Sequence, residues 1–216
     1  MKQLVIFDLD GTLINSIADL GNATNYALAK AGLPTHPASA YPMFVGNGVR
    51  KLIERAIPVS MRNPETIDSL LVDFKEYYEA HKTDETRPYP GIPELLADIT
   101  SRGVKVAVAS NKYRQAVVEL VNHYFPDVPW AAIEGQKERV PVKPDPSIVF
   151  EILAASPTPK ADVLYVGDSA IDMETARRSC VESCGVTWGF RSRGELESAH
   201  ADNIADNTTQ LLRLIL

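Results

Sequence analysis

The chain has 216 residues, of which 45% are hydrophobic and 23% are charged, and its formal net charge is −6. This composition is ordinary for a globular protein, and the length suits one core with an inserted module or two small domains. The net negative charge argues against nucleic acid or an anionic membrane as the main partner. No signal peptide or membrane span is expected and the two cysteines are expected to be reduced, so a cytoplasmic location is predicted.

The chain opens with a strand pattern that ends in two carboxylates. Residues 4–7 are a continuous apolar run, which is typical of a strand buried on both faces of a parallel sheet. Asp8 and Asp10 follow directly, and because buried neighbouring carboxylates repel each other, they require a cation or a shared proton. Open α/β sheets bind ligands at this end of the strands. A Mg²⁺ ion bound there is the simplest compensation for the two neighbouring carboxylates. An ordinary solvated turn at Asp10-Gly11 is the alternative.

Residues 15–87 have helical periodicity and contain no convincing core strand. They separate the first strand from all later ones, which predicts an inserted helical cap domain at 15–87 and a core domain made of 1–14 and 88–216. Gly32 and Pro34 end the first of its helices. The predicted helices of this region lie at 15–31, 49–56 and 64–82.

Beyond residue 91, strands alternate with helices, a pattern that favours βαβ units and a parallel sheet. The predicted fold class is therefore α/β, a three-layer Rossmann-like core with a central parallel sheet plus the inserted α-helical cap. Strands are predicted at 104–109, 130–133, 163–166 and 181–187, and helices at 92–102, 113–123, 147–155 and 170–179. Two further elements, at 203–205 and 208–216, are predicted without a type.

Two positions after the core strands suit phosphate binding. Ser110 and Asn111 follow the strand at 104–109 and offer a hydroxyl and backbone N–H groups at the start of a predicted helix. A simple serine helix cap is the alternative. Lys143 lies in a loop that prolines restrict, where its ammonium group can offset clustered carboxylates and a phosphate. A solvated loop lysine is the alternative.

A second acidic pair follows the strand at 163–166. Asp168 and Asp172 are four residues apart across a strand-to-helix turn, so they can share one face. If the strand before Asp168 lies next to the strand before Asp8, these carboxylates converge with Asp8 on one cation. A helix-capping Asp followed by a surface Asp is the alternative.

Four ordered motifs resemble those of the haloacid dehalogenase-like hydrolases, and an α-helical insert after the first motif is similar to one cap type of that family. The motifs are Asp8-x-Asp10-Gly11-Thr12, Ser110-Asn111, Lys143-Pro144 and Gly167-Asp168-Ser169-x-x-Asp172. Within the family, the chain looks most similar to the phosphoglycolate phosphatases. The stretches that carry this resemblance are Val45-Gly46-Asn47-Gly48, Tyr89-Pro90-Gly91, Ser110-Asn111-Lys112 and VTWGF at 186–190.

The resemblance implies Mg²⁺-dependent hydrolysis of a small phosphorylated metabolite. Asp8 would attack phosphorus and form an aspartyl-phosphate, and Asp10 would protonate the leaving group and then activate water. Because Asp10 is present, phosphoryl transfer is favoured over dehalogenation. The residues implied to hold Mg²⁺ are Asp8, Asp10 through its backbone carbonyl, Asp168 and Asp172, the last by direct contact or by orienting Lys143. Those implied to bind the phosphoryl group are Ser110, Asn111 through its backbone, and Lys143.

Substrate specificity is expected to reside in the cap. Asn47 and Arg50 are the candidate substrate contacts there, Arg50 for a substrate carboxylate, against the alternative of a plain loop and a solvated helix start. The other functions considered are a pyrophosphatase, a phosphoglucomutase-like phosphotransferase and, more distantly, a receiver-type signalling domain. A monomer or a homodimer is expected.

Overall fold

A computed structural model describes all 216 residues. The chain forms two compact units, unit 1 made of Met1–Ile14 and Pro88–Leu216, and unit 2 made of Asn15–Arg87. The strands are β1 (Leu4–Phe7), β2 (Ile14–Asn15), β3 (Arg87–Pro88), β4 (Lys105–Tyr113), β5 (Trp130–Gln136), β6 (Val163–Gly167), β7 (Glu182–Val186) and β8 (Asn203–Ala205).

Ten α-helices accompany these strands, and three short 3-10 turns complete the regular structure. None of the helices combines the length and the apolar character that crossing a membrane requires. The helices are α1 (Ile17–Lys30), α2 (Tyr41–Phe44), α3 (Val49–Ala56), α4 (Pro64–His81), α5 (Ile92–Ser101), α6 (Arg114–Tyr124), α7 (Ser147–Ala155), α8 (Ala170–Ser179), α9 (Arg193–Ser198) and α10 (Thr208–Ile215).

Unit 1 is built on a six-stranded sheet with the order β5-β4-β1-β6-β7-β8, in which every pairing is parallel. The apolar run of β1 explains its central place, because its alternate side chains enter two different cores. Val5 and Phe7 pack with side chains of α5, α6 and α10, whereas Leu4 and Ile6 pack with side chains of α7 and α8. Helices therefore cover both faces of the sheet, and the predicted three-layer α/β core is confirmed.

The strand order places the carboxyl end of β1 at the point where the chain changes direction across the sheet. From β1 the sheet grows through β4 to β5 on one side, and the chain then returns to β6 on the other side of β1. Phe7 pairs with Val108 of β4 and with Val166 of β6, so β1 and β6 end side by side, next to the segment of β4 that precedes Ser110. A reversal of this kind leaves a crevice at the carboxyl ends of the strands, where open α/β sheets bind ligands.

Strand β4 is longer than the sequence pattern predicts. It continues through the polar residues 110–112 to Tyr113, and α6 begins only at Arg114. On β5 the partner of Ala109 is Glu134 and the partner of Tyr113 is Gln136, so β4 contains extra residues and bulges between these pairs. The prediction that this strand ends at residue 109 is therefore wrong, because polar side chains at a strand end resemble a loop in sequence, whereas the helix predicted from residue 113 begins one residue later.

Unit 2 is helical and has its own apolar interior. The long helices α1 and α4 bury Leu20, Ala27, Phe74 and Tyr78. Helix α1 also carries a buried carboxylate, Asp19, which accepts hydrogen bonds from the backbone N–H groups of Glu85 and Thr86 and from the Thr86 hydroxyl. These bonds compensate the burial of the carboxylate and fix the last residues of unit 2 against its first helix.

Candidate active site

Asp8 directly follows β1 and continues its hydrogen bonding with β6, because the N–H group of Asp8 donates to the carbonyl of Val166 at 2.8 Å. Its side chain is largely buried, and its Oδ1 accepts a hydrogen bond of 2.8 Å from the Lys143 ammonium group. Burial, and then repulsion from Asp172 and Asp10, raises the pKa of Asp8 to about 7 against the attraction of Lys143. A nearby cation would favour the ionised form.

Lys143 is the central cation of the site. Its Nζ donates to Oδ1 of Asp8 at 2.8 Å, to Oδ1 of Asp172 at 2.8 Å and to the carbonyl of Ala109 at 2.9 Å. Its side chain is only 2% exposed. Burial lowers the pKa of Lys143, but the attraction of Asp172 and Asp8 outweighs it and leaves the pKa well above its ordinary value. The group is therefore charged, and each of its three hydrogens has an acceptor.

The loop that carries Lys143 is attached to β4 through the side chain of Asn111. The backbone N–H group of Lys143 donates to Oδ1 of Asn111 at 2.8 Å, and Nδ2 of Asn111 donates to the carbonyl of Lys143 at 3.1 Å. This pair of bonds engages both the oxygen and the nitrogen of the amide group. The side chain of Asn111 thus positions Lys143. The role that the family resemblance implied for Asn111, phosphate binding, belongs to its backbone.

Asp168 follows β6 and lies beside the first motif. Its Oδ2 accepts a hydrogen bond of 2.6 Å from the N–H group of Phe190. Gly11 has a positive φ of 91°, and a side chain there would collide with the Asp168 carboxylate, so only glycine permits this approach. Burial raises the pKa of Asp168 well above its ordinary value, and repulsion from Asp172 and Asp8 adds to the shift.

Asp172 is tied to the start of α8. Its Oδ2 accepts from the hydroxyl of Ser169 at 2.6 Å and from the N–H group of Ser169 at 3.2 Å. Its Oδ1 accepts the 2.8 Å bond from Lys143. Both carboxylate oxygens therefore have partners within the protein, an arrangement that suits a residue that orients Lys143.

The acidic side chains provide a donor set that fits a hard divalent cation. Carboxylate oxygens of Asp8, Asp168 and Asp172 all lie within 4.8 Å of one another. Oxygen ligands of this kind, few in number, suit Mg²⁺ completed by water and phosphate. With Asp10 the site holds four carboxylates against the ammonium groups of Lys143 and Lys112. When all are ionised, the excess of two negative charges equals the charge of one divalent cation.

Asp10 points its carboxylate to a different partner. Nζ of Lys112 donates to Oδ1 of Asp10 at 2.7 Å, and the two side chains are 5% and 12% exposed. Asp10 is not part of the cluster of Asp8, Asp168 and Asp172, so the side chain of Asp10 lies apart from that donor set. This separation leaves the Asp10 carboxylate suited to proton transfer.

Ser110 is buried in the bulge of β4, and its Oγ accepts a hydrogen bond of 3.2 Å from the N–H group of Lys112. The carboxyl end of β4 thus presents Ser110 from a bulged strand. Bulges of this kind redirect side chains next to active sites.

Unit 2 contains the two cap candidates. Oδ1 of Asn47 accepts from Nη2 of Arg55 at 2.6 Å, and Arg55 also donates to the carbonyl of Phe44 at 2.9 Å. Arg50 is paired with Asp68 at the exposed surface of the unit. Both candidates have partners inside unit 2, and a contact of either with substrate stays a prediction.

Sequence reasoning did not assign a role to Lys112 or to the segment that contains Trp188 and Phe190. Trp188 donates from Nε1 to the carbonyl of Thr12 at 3.0 Å, and the N–H group of Phe190 holds Asp168. The sequence contained an indication of each. Lys112 directly follows Ser110-Asn111, and the VTWGF stretch contributed to the family resemblance. Their contacts depend on residues far away in the chain, which local patterns do not identify.

Comparisons with known proteins agree with this geometry. Residues 5–186 match the sequence profile described as haloacid dehalogenase-like hydrolase. The chain is 32% identical over 194 residues to a phosphoglycolate phosphatase of Mesorhizobium japonicum, covering 89% of this chain and 86% of the relative. It is 35% identical over 192 residues to one of Agrobacterium fabrum, covering 88% and 82%.

A solved structure resembles the whole chain. It is a Lactobacillus delbrueckii subsp. bulgaricus protein for which phosphoglycolate phosphatase activity has been proposed. It superposes with a TM-score of 0.94 at 33% identity, covering 100% of this chain and 99% of that one.

Proposed function

The chain belongs to the haloacid dehalogenase-like hydrolase family, and we propose that it is a phosphatase that hydrolyses a small phosphate monoester similar to phosphoglycolate with the help of Mg²⁺. The observation that carries this proposal is the bridge of Lys143 between Asp8 and Asp172, beside Asp168. It joins the ends of the two neighbouring strands β1 and β6 in one buried, charged crevice. The relatives named phosphoglycolate phosphatase support the substrate class.

Asp8 is the proposed nucleophile. One of its carboxylate oxygens bonds to phosphorus while the bond between phosphorus and the ester oxygen breaks, which leaves an aspartyl-phosphate. Lys143 holds Oδ1 of Asp8 in place at 2.8 Å, so the carboxylate is oriented before substrate arrives.

Asp10 is the proposed acid and base. Its carboxyl proton passes to the departing ester oxygen, which leaves as an alcohol. The resulting carboxylate then takes a proton from water as the water oxygen attacks the phosphorus of the aspartyl-phosphate. Inorganic phosphate leaves and Asp8 is regenerated, so the sum of the two steps is the hydrolysis of one ester by one water molecule.

The Mg²⁺ ion would be held by Asp8, the backbone carbonyl of Asp10 and Asp168, and Asp172 would orient Lys143. The ion would neutralise charge on the phosphate and on the carboxylates around it. Ser110, the backbone of Asn111 and Lys143 would contact the phosphoryl oxygens. Asn47 and Arg50 are the proposed specificity residues of unit 2, acting as a cap that excludes bulk water.

The experiment is a panel of small phosphate esters, assayed with and without Mg²⁺, for the wild type and for Asp8→Asn. We expect metal-dependent turnover of at least one ester by the wild type, with phosphoglycolate among the best. We expect Asp8→Asn to lose at least about 1,000-fold in kcat, because an amide is not a nucleophile for phosphorus. Pyrophosphate and glucose 1-phosphate in the panel test the pyrophosphatase and mutase alternatives.

Asp162→Asn is the matched control. Asp162 precedes β6 at the amino end of the sheet and accepts a hydrogen bond of 2.8 Å from Gln3, so the same chemical change falls far from the proposed crevice. We expect its activity to equal that of the wild type. Activity of Asp8→Asn equal to wild type would remove the proposed nucleophile, and a wild type inert toward every ester would remove the function. A cytoplasmic location and a monomeric or homodimeric state stay predictions.

A further inference from the structure

The bulge of β4 buries a second lysine whose role is not explained by phosphate binding or by the metal site. Lys112 is 8% exposed as a whole residue, and lysine is almost never buried so deeply unless it is paired. Its partner is the carboxylate of Asp10, at 2.7 Å from Nζ. A buried ion pair of this kind is costly to desolvate, so it is weak evidence of a purely stabilising role.

The backbone around Lys112 departs from regular strand pairing. Ala109 and Tyr113 pair with Glu134 and Gln136, and the intervening residues of β4 form the bulge. The bulge packs on Gly135, where a Cβ atom would lie 2.7 Å from the Lys112 carbonyl oxygen and 2.7 Å from Cα of Arg114. Only a residue without a side chain leaves room for the bulge at this position.

We propose that Lys112 is a positioning residue that holds the Asp10 carboxyl group in the orientation from which it transfers a proton to the leaving group. This inference rests on the proposed function, in which Asp10 is the acid. The ammonium group donates to Oδ1 of Asp10 at 2.7 Å, and this contact fixes the orientation of the carboxyl group. The contact persists in both protonation states, because the carbonyl oxygen of a neutral carboxyl group also accepts a hydrogen bond.

A positioning role predicts a loss that depends on the leaving group. An alkoxide needs a proton as it departs, whereas 4-nitrophenolate is a stable anion and departs without one. The value of kcat/KM reports only the steps up to the first departure, so it isolates the transfer from the later attack of water. A misplaced Asp10 therefore slows alkyl esters much more than the nitrophenyl ester.

The test compares kcat/KM of the wild type and Lys112→Met, with Mg²⁺, for phosphoglycolate, 2-hydroxyethyl phosphate and 4-nitrophenyl phosphate. We expect losses of about 100-fold for both alkyl esters and of less than about three-fold for the nitrophenyl ester. Lys112→Arg, which keeps a cationic donor, is expected to restore part of the loss on the alkyl esters. Lys137→Met is the control, since Lys137 pairs with Glu134 and Glu151 instead.

Three results would overturn the inference. Equal losses on all three esters would mark Lys112 as a structural residue, and a loss confined to phosphoglycolate would mark it as a contact to the substrate carboxylate. A variant that behaves as Lys137→Met does would leave it without a role in turnover. In each case the wild type is active, so these results differ from a wild type that hydrolyses no ester, which contradicts the proposed function itself.

A second variant covers the case in which Lys112→Met does not fold. Lys112→Gln keeps a polar side chain in the bulge, but its shorter neutral amide removes the 2.7 Å contact of the ammonium group with Oδ1 of Asp10. We expect the same preferential loss of kcat/KM on alkyl esters. An equal loss on alkyl and nitrophenyl esters, or none, would contradict the positioning role.

Discussion

The charged residues of the crevice illustrate how burial and charge compete at single side chains. Asp8 and Lys143 are both buried, and burial alone would favour their neutral forms. For Lys143 the two neighbouring carboxylates prevail and raise the pKa, whereas for Asp8 burial and the carboxylates prevail over one ammonium group and raise the pKa to about 7. The site therefore holds a fixed positive charge beside carboxyl groups that readily bind protons or a metal ion.

This imbalance predicts how stability depends on pH when metal is removed. The ordinary pKa of Asp8 is 3.8 and its folded value is about 7, so the folded state binds more protons than the unfolded state between these pH values. The free energy of unfolding in a chelator should therefore fall as the pH rises from about 4 to about 7. Asp168, whose pKa is also raised, adds to this slope. Urea unfolding at pH 5 and pH 8 measures it.

The control for the pH prediction is the same measurement on Asp8→Asn, which should show a smaller slope, and on Asp162→Asn, which should keep the slope of the wild type. Mg²⁺ at millimolar concentration should stabilise the wild type more at pH 8 than at pH 5, because it binds the ionised carboxylates. A stability that rises with pH over this window in the metal-free wild type would contradict the prediction.

At the scale of elements, the junction of β6 with α8 decides where Asp172 points. Ser169 precedes the helix, and Asp172 in its first turn accepts from the N–H group and the hydroxyl of Ser169. A carboxylate at this place also interacts favourably with the helix dipole. The start of α8 therefore orients the carboxylate that holds Lys143. Asp172 makes both the contact that caps the helix and the contact with Lys143 in the site.

Ser169→Ala and Asn207→Ala form a matched pair that separates these two effects. Asn207 caps α10 by accepting from the N–H group of Gln210 at 2.9 Å, and it has no part in the site. Each substitution should lower the free energy of unfolding by about 1 kcal/mol. Only Ser169→Ala should also lower kcat/KM, by about ten-fold, because Asp172 loses a partner that orients it.

Urea unfolding and ester hydrolysis, measured on the same preparations, check this pair. Equal activity of the two variants would show that the hydroxyl of Ser169 serves the helix alone. A smaller stability loss in Ser169→Ala than in Asn207→Ala is compatible with the prediction, since the backbone N–H group of Ser169 still bonds to Asp172.

At the scale of the whole molecule, all six strands of the main sheet belong to unit 1. Unit 2 is a single insert in unit 1, and the short strands β2 and β3 lie at its two ends. The two segments of unit 1 are hydrogen-bonded to each other where unit 2 is inserted, because the N–H group of Tyr89 donates to the carbonyl of Leu13 at 3.1 Å. Unit 1 therefore has its own core, and its two chain segments lie next to each other at the point of insertion.

Replacement of residues 15–87 by a short glycine-serine linker tests this independence. We expect the shortened protein to keep its sheet and to unfold cooperatively, because its apolar clusters lie within unit 1. If unit 2 acts as the proposed cap, the shortened protein should discriminate less between esters than the full chain does. Circular dichroism, urea unfolding and kcat/KM for the ester panel measure these outcomes. A shortened protein without cooperative unfolding would contradict the independence of unit 1.

Much of the fold followed from local pattern. The apolar run before Asp8, the alternation of strands and helices after residue 91 and the helical spacing between them predicted the sheet and the helices that cover it. The bounds of α7 and α8 agreed with the prediction. Strand β4 was predicted too short because Ser110, Asn111 and Lys112 are polar, and polar side chains indicate a loop unless burial in the folded protein compensates them.

The sequence by itself determined which side chains follow the core strands, because periodicity and apolar runs report which faces are buried and where each strand ends. Only the tertiary structure decided which strands are neighbours and therefore which of these side chains meet. Lys143 reaches Asp8 across 135 positions of the chain, and Lys112 reaches Asp10 across 102. Such pairs depend on the order of strands in the sheet and on a bulge packed against Gly135. Local propensity encodes neither, since both arise from packing between distant segments.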